Sequence, residues 1–336
     1  MAKHAGVSVT TVSHVLNETP HTRVKEETVD RVRAAAEELG YRPNRLARGL
    51  RTHASEMIGL VAEEIAATPH AGRIILGAQK RADADGLALA IINSDLQREP
   101  TVPPRSVHAF LDRQVDGIVY ATVYHDEVVV PPALQGIPAV LIGARDRDER
   151  LPSVLPDERT GAADVVGMLV EYGHRSIAFI DSAEDIPATR GRVRGYRDGM
   201  EAVGFSPDAR IVAGTPDAAG GYRAAAQLLD QHDPPTALFC FDDRMAMGAY
   251  RAAAERGLRI PEDVSVVGFD DQDPLPTSMH PTLTTVALPH YEMGEWAVAT
   301  LTARIRAGSP GDEPAMSCLL PCPVVVRESV AAPARR

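Results

Sequence analysis

Aromatic residues and cysteines are scarce in this sequence: 4% of its 336 residues are aromatic, and three are cysteine. Cys240, Cys318 and Cys322 are accompanied by no second cysteine pair and no histidine cluster. They therefore offer neither the four ligands of a structural zinc site nor the paired spacing of a disulfide framework. The sequence predicts no metal site, no cofactor and a reducing compartment.

Long apolar runs and catalytic motifs are absent as well. No stretch approaches the roughly 20 apolar residues that a membrane-spanning helix needs, and no secretory signal opens the sequence. We therefore expect a cytoplasmic protein without a membrane partner. The sequence contains no P-loop, dinucleotide-binding fingerprint or nucleophile elbow, so we expect that it is not an enzyme.

The charge is distributed unevenly along the chain. The net charge is −11, yet residues 1–52 hold nine Lys/Arg against six acids, a net of +3 that leaves −14 for the remainder. An acidic body argues against nucleic acid binding along the whole chain, whereas a basic end suits a DNA-binding segment. The asymmetry is small enough to arise from a solvated surface as well.

The first fifty residues have the pattern of short helices. The segment VTTVSHVLN at 9–17 places Val9, Val12, Val15 and Leu16 at helical spacing, and Ser8 is a candidate N-cap. Residues 25–39 predict a second amphipathic helix, which Gly40 ends. Small polar side chains lie opposite the apolar stripe of 9–17, as a recognition helix in a DNA groove requires. From the pattern alone, an ordinary surface helix is an equal alternative.

From Met57 onward, short apolar runs alternate with longer helical stretches. Strand candidates lie at 58–62, 87–92, 117–121, 138–143, 176–180, 236–241 and 264–269. This alternation predicts parallel sheets with helices on both faces, and about 270 residues of it predict two lobes.

Two long segments carry a family resemblance. The run AGVSVTTVSHVLN at 5–17 and the run VKEETVDRVRAAAEELGYRPNRLARGLRT at 24–52 resemble the headpiece of the lactose-repressor (LacI/GalR) family. The likeness continues in YGHRSIAFI at 172, DDRMAMGAY at 242, PEDVSVVGFDD at 261 and VVVRES at 324. It covers essentially the whole chain. It implies an all-α helix-turn-helix headpiece followed by an α/β, two-lobed, periplasmic-binding-protein-like effector domain with parallel sheets.

The resemblance also implies domain boundaries. The headpiece is expected at 1–43, the hinge helix and linker at 44–56, the effector domain at 57–330 and a tail at 331–336. Within the effector domain, the N-terminal lobe is expected at about 57–155 and 288–313, and the C-terminal lobe at about 157–286 and 314–330.

The DNA-binding roles follow by matching. Val9 and Thr10 would select bases in the major groove, and Leu50 would wedge between base pairs in the minor groove, where lost stacking is exchanged for a kink. The DNA-binding residues implied in this way are Ser8, Val9, Thr10, Thr11, Ser13, His14, Asn17, Arg45, Arg48 and Leu50. Members of the family normally carry about six more residues before the position of Met1. The first helix is therefore expected to be short, without an apolar residue beneath Val12 and Val15.

The effector-binding roles follow in the same way: the implied residues are Arg192, Asp242, Asp270, His70 and Phe241. Asp243 and Asp271 are expected to support loops and caps instead. Aromatic stacking positions common in sugar-binding members are replaced here, and Tyr124, Phe241 or Tyr291 could supply a ring. A polyhydroxy ligand and a cationic one remain open as effectors.

The resemblance implies a repressor that binds pseudo-palindromic double-stranded operator DNA as a homodimer and responds to a small molecule, a sugar or related metabolite. A transport-type sugar-binding protein is the alternative with the same body, but it would need a secretory signal and no headpiece.

Overall fold

The computed structural model of the chain describes residues 1–16, 24–41, 54–63, 71–95, 100–134, 136–206, 210–308 and 316–334. These residues form two compact units, Met1–Glu56 and Met57–Arg336. The helical headpiece and the α/β effector domain with parallel sheets, both expected from the sequence, are confirmed.

The described residues of the first unit form three helices, α1 (Ala2–Ala5), α2 (Val9–Leu16) and α3 (Glu26–Glu38). Gly6 ends α1 with φ 65°, a left-handed conformation that glycine adopts without steric cost. The buried cluster consists of small residues: Ala5, Val12, Val15, Val32 and Ala35. The helix before Gly6 is short, as expected.

One expectation about this unit is wrong. From the sequence, the short first helix was expected to place no apolar residue beneath Val12 and Val15. Ala5 is buried with these two valines, and Met1 is partly buried against the same cluster. A one-turn helix therefore still contributes a side chain to the core, because Gly6 turns the chain sharply enough to bring Ala5 over α2.

The second unit alternates strands and helices, with a 3-10 turn at Pro132–Leu134. In chain order the elements are β1 (Met57–Glu63), α4 (Ala71–Ala84), β2 (Ala88–Ser94), α5 (Pro104–Leu111), β3 (Gly117–Ala121), β4 (Glu127–Val128), β5 (Ala139–Ile142), β6 (Arg145–Asp146), β7 (Ser153–Pro156), α6 (Glu158–Glu171), β8 (Ile177–Ser182), α7 (Pro187–Ala202), β9 (Ile211–Gly214), α8 (Ala218–Leu229), β10 (Ala237–Cys240), α9 (Asp243–Glu255), β11 (Ser265–Val267), α10 (Leu275–Ser278), β12 (Thr285–Val286), α11 (His290–Ala307), β13 (Ser317–Leu320) and β14 (Val324–Val325).

Two parallel sheets define two lobes. The first lobe has six strands in the order β13-β7-β5-β3-β1-β2, and the second has four in the order β11-β10-β8-β9. Short pairs, parallel β4–β6 and antiparallel β12–β14, complete the pairing described. Each lobe has its own apolar core, and α11 packs on the first-lobe sheet with Met293, Ala297 and Leu301 buried. In parallel sheets ligands bind beyond the carboxyl ends of the strands, so those ends are where a site is sought.

The expected C-terminal lobe boundary needs a correction. The family resemblance placed residues 314–330 in the second lobe. In the structure, β13 pairs with β7 in the first-lobe sheet, with Cys318 opposite Val154. The chain rejoins the second lobe only near Cys322, which is buried in that core. Residues 316–326 form one nearly continuous apolar run in the sequence, so nothing local indicates where it changes sheets. Pairing with β7 decides the boundary.

The few aromatic residues are concentrated in the second-lobe core. The rings of Phe179 and Tyr196 lie 5.3 Å apart between centroids, those of Phe179 and Phe239 4.9 Å, and those of Phe239 and Phe269 6.4 Å. Such separations are favourable for ring pairs. Phe269 lies two residues after the end of β11, so the row of rings extends from the core toward the carboxyl ends of the strands.

Candidate DNA-reading helix and effector site

Helix α2 begins with a capped turn. The Ser8 hydroxyl accepts a hydrogen bond from the Thr11 backbone N–H at 3.0 Å and lies 2.9 Å from the Thr11 hydroxyl. This geometry satisfies one of the amide donors that a helix N-terminus leaves unpaired. Ser8 therefore acts as the N-cap that the sequence indicated, and its hydroxyl and that of Thr11 bond each other in this unit.

The two faces of α2 differ sharply in exposure. Val12 and Val15 are buried, whereas Val9 is 75% exposed and Thr10 is exposed. The helical spacing placed Val9 in the apolar stripe, and that assignment is wrong. Val9 lies with Thr10 on the outer face, where the family resemblance expects both residues. Ser13 and His14 are half-buried. The amino end of α2 thus offers a small, uncharged, exposed surface of the kind that reads base edges.

Some predicted residues lie outside the described part of the chain. These are Asn17, Arg45, Arg48 and Leu50 of the predicted DNA-binding set and His70 of the predicted effector-binding set.

The predicted effector residue Arg192 is the centre of a buried polar network in the second lobe. Its Nε donates to Glu158 Oε2 at 2.6 Å, and its Nη2 donates to Asp270 Oδ1 at 2.9 Å and to Glu158 Oε1 at 3.3 Å. Its Nη1 donates to the Phe241 carbonyl oxygen at 2.5 Å. The side chain is 3% exposed. The structure thus brings together Arg192 and Asp270, two of the predicted effector-binding residues.

Glu158 belongs to this network and was missed in the sequence. Glu158 follows the N-cap Asp157, whose side chain accepts a hydrogen bond from Thr160 N at 3.1 Å. Its sequence position is therefore that of an ordinary acid in the first turn of a helix. The approach of α7 to α6 gives it its role. A Cβ at Gly191 would lie 2.9 Å from the Glu158 Cβ, and one at Gly195 would collide with the Arg159 carbonyl oxygen. The two glycines therefore let the helices pack closely enough for Arg192 to reach Glu158.

Charge and aromatic rings hold the Arg192 guanidinium in place. Its central carbon lies 3.9 Å from the Phe269 ring centroid and 4.5 Å from that of Phe241, within the range of cation–π attraction. Burial by itself lowers the pKa of Arg192, but the Glu158 and Asp270 carboxylates outweigh burial and raise it. Arg192 is therefore permanently charged.

Asp270 has an unusual backbone. Its φ is 107°, a conformation that residues other than glycine rarely adopt. Its N–H donates to the Val286 carbonyl oxygen at 2.8 Å, and the Arg192 contact holds its side chain. Strained residues that the surrounding structure holds in place are concentrated at functional sites, which supports the predicted role of Asp270.

Asp242 caps helix α9. Its Oδ1 accepts from Met245 N at 2.7 Å, and its Oδ2 accepts from Arg244 Nη2 at 2.8 Å. The Asp242 side chain is 1% exposed, and its charge also acts on Arg192. The predicted effector residue thus has a definite structural role as an N-cap beside the network.

Asp243 and Asp271 support neighbouring loops, in agreement with the sequence analysis. Asp243 accepts from the Thr285 hydroxyl at 2.5 Å and from Gln272 N at 2.8 Å. Burial, followed by the charge of Asp270, raises the pKa of Asp243 to about 7. Asp271 pairs with Arg327 at 2.7 Å. Neither contact requires a ligand.

The first lobe contributes a buried carboxylate of its own, Glu63, at the carboxyl end of β1. Glu63 Oε1 accepts from the Tyr120 hydroxyl at 2.6 Å, and Oε2 accepts from the Thr122 hydroxyl at 2.7 Å. The residue is 4% exposed. The lobes contact each other near this end, because Arg190 of α7 donates to Asp126 of the first lobe at 2.5 Å.

The candidate stacking rings have different surroundings. Phe241 is buried against Arg192. Tyr291 instead lies near Lys80 of α4, whose Nζ is 5.7 Å from the ring centroid. Tyr124 is half-buried near Thr122.

The residues that the structure describes include no candidate metal site and no candidate membrane-spanning helix. No group of three or more His, Cys, Asp or Glu side chains is arranged to hold a metal ion. Over the same residues, every helix is too short or too polar to cross a bilayer.

Two family profiles match this chain. "Bacterial regulatory proteins, lacI family" matches residues 1–44, and "Periplasmic binding protein-like domain" matches residues 166–330. Catabolite control protein A of Priestia megaterium is 32% identical over 305 residues, which cover 90% of each protein.

Solved structures show the same relationship. The lac repressor dimer bound to operator and the anti-inducer ONPF is 28% identical, with a TM-score of 0.80 and 98% of each chain covered. The complex of the transcriptional regulator CelR with cellobiose is 29% identical, with a TM-score of 0.67 and 98% of each chain covered. These proteins are transcription regulators and not enzymes.

Proposed function

Because this chain belongs to the LacI family of bacterial transcription regulators, we propose that it is a sequence-specific repressor controlled by a small polyhydroxy effector. Residues 1–43 bind operator DNA, residues 44–56 form the hinge, and residues 57–330 bind the effector between the two lobes. The chain works as a homodimer on a pseudo-palindromic operator, since operator symmetry mirrors the symmetry of the protein.

The observation that carries this proposal is the exposed amino end of α2. Its cap at Ser8 and its buried valines fix the helix, while Val9 and Thr10 stay exposed for contact with base edges. The known lac repressor dimer bound to operator supports the DNA role, and the CelR–cellobiose complex supports a carbohydrate effector. In the second unit, Asp270, Asp242 and Phe241 form the effector site around Arg192.

The experiment starts from a randomised duplex library, from which the full chain selects its operator. Fluorescence anisotropy then compares that operator with a random duplex over a range of salt concentrations, because phosphate contacts alone give salt-sensitive but unselective binding. We expect the selected duplex to bind at least a thousandfold more tightly. Equal affinity for both duplexes would refute the proposal.

The effector arm uses the same complex. Neutral pentoses, hexoses and disaccharides are tested for release of the operator, and thermal shift in the absence of DNA reports direct binding. Light scattering of the free chain and of the operator complex reports the expected dimer.

A further inference from the structure

The buried cation of the second lobe has almost no hydrogen-bonding capacity left for a ligand. A guanidinium has five N–H donors. Glu158, Asp270 and the Phe241 carbonyl accept four hydrogen bonds from Arg192. The rings of Phe241 and Phe269 lie against the same group. A ligand that enters this site therefore meets a cation with four of its five donors already committed.

The carboxylates bonded to Arg192, and Glu63 of the first lobe, retain capacity as acceptors. An ionised carboxylate offers about four lone-pair positions. In Glu158 each oxygen accepts one N–H from Arg192, and in Glu63 each oxygen accepts one hydroxyl. Within the described part of the chain, Arg192 is the only buried Lys or Arg, whereas the buried carboxylates are Glu63, Asp146, Asp242, Asp243 and Asp270. Buried carboxylates, which accept hydrogen bonds, therefore outnumber buried cations among the described residues of this unit, and this favours ligands that donate hydrogen bonds.

We propose that Glu158 determines the charge class of the effector: by holding Arg192 against Asp270, it makes the site accept neutral or amine-bearing polyhydroxy ligands and reject phosphates and carboxylates. This inference rests on the proposed function, because it concerns the effector site of that regulator. Because four of its five donors are in use, Arg192 could give an anion a second hydrogen bond only by giving up Glu158, Asp270 or the Phe241 carbonyl. A carboxylate displaced in this way would remain partly buried without its cation, which is strongly unfavourable.

The test replaces Glu158 by Gln, which keeps the shape of the side chain and removes its charge. Glu171→Gln is the matched control, since Glu171 ends the same helix, is exposed and makes the same change in net charge. Inorganic phosphate is the probe, titrated by calorimetry into each full-length variant at constant ionic strength. We expect phosphate to bind Glu158→Gln at least tenfold more tightly than the wild type or Glu171→Gln.

A double variant identifies the binding group. Adding Arg192→Met to Glu158→Gln should abolish the gained phosphate binding, because the freed donors belong to Arg192. Should Glu158→Gln fail to fold, as judged by circular dichroism, Asp270→Asn frees the same guanidinium and should gain phosphate binding in its place.

A matched ligand series extends the test to effectors. Neutral sugars, amino sugars, sugar phosphates and sugar acids are compared by thermal shift on the wild type. Stabilisation by a sugar phosphate or sugar acid beyond that of its neutral counterpart would overturn the inference, as would equal phosphate affinity in Glu158→Gln and Glu171→Gln. Loss of selective DNA binding in the operator assay would instead count against the proposed function and leave the phosphate result valid.

Discussion

The headpiece and the effector unit present their candidate functional side chains in opposite ways. In the headpiece, Val9 and Thr10 are exposed on one helix, eight residues long, that is capped by its neighbour Ser8. In the effector unit, Arg192 is buried and bonded to Glu158 and Asp270, which lie 34 and 78 residues away along the chain. A single substitution at a site formed by exposed residues of one helix leaves the stability of the fold nearly unchanged. A substitution among buried, paired charges lowers that stability strongly.

Removal of Arg192 should have the largest effect on stability. Arg192→Ala leaves the carboxylates of Glu158 and Asp270 without their cation, and removal of one partner from a buried pair costs about 3–5 kcal/mol. The matched control is Arg251→Ala, since Arg251 is 71% exposed and pairs with Glu255, which is exposed as well. It should cost less than about 1 kcal/mol. Urea unfolding measures both, and equal losses would contradict the contrast between the regions.

The buried Asp243 should make the effector unit sensitive to pH in a defined direction. Burial raises its pKa from 3.8 to about 7, which corresponds to on the order of 4 kcal/mol. Because the folded-state value is the higher one, the stabilising contribution is fully present below pH 3.8 and is lost as the pH rises through about 7. The free energy of unfolding should therefore fall between about pH 4 and pH 7.

Asp243→Asn tests this assignment. The variant should lose most of the fall in unfolding free energy over that range, with a smaller part remaining from Asp181, whose pKa burial raises to about 6. Asp230→Asn is the control, because Asp230 is exposed and its hydrogen bond with Arg256 lowers its pKa. A pH profile of Asp243→Asn that matches the wild type would assign the effect to other groups.

Changes on the outer face of α2 should affect DNA binding without affecting stability. Thr10→Ala and His14→Ala should each weaken binding to the selected operator by about 1–3 kcal/mol, the usual value of a good base contact. Binding to a random duplex should change little, and anisotropy measures both. Parallel losses on the two duplexes would place these side chains at phosphates instead of bases.

The smallest effect is expected at the cap of α2. Ser8→Ala removes the acceptor for Thr11 N and should cost about 1 kcal/mol locally. Amide hydrogen exchange in the full chain should then be about fivefold faster in α2 and unchanged in the effector unit. Ser8→Asp restores an acceptor and should return the wild-type rate. Unchanged exchange in Ser8→Ala would show that the buried valines alone hold the helix.

Much of the fold could be predicted from the sequence because its signals are local. The apolar runs at 58–62, 117–121 and 236–241 all form strands, and Ser8 caps its helix. Arg192 and Asp270 could be singled out through the family resemblance. Their shared partner Glu158 could not, because an acid after an N-cap has the same local pattern whether or not an arginine packs against it.

The sequence by itself determined the family, the order of strands and helices, and the exposed polar residues of α2, since each depends on neighbours within a few positions. Only the tertiary structure decided that β13 joins the first-lobe sheet and that four donors of Arg192 are committed to Glu158, Asp270 and the Phe241 carbonyl. Strand pairing and the burial of charge depend on which distant elements approach each other, and that approach is decided by the packing of the complete chain.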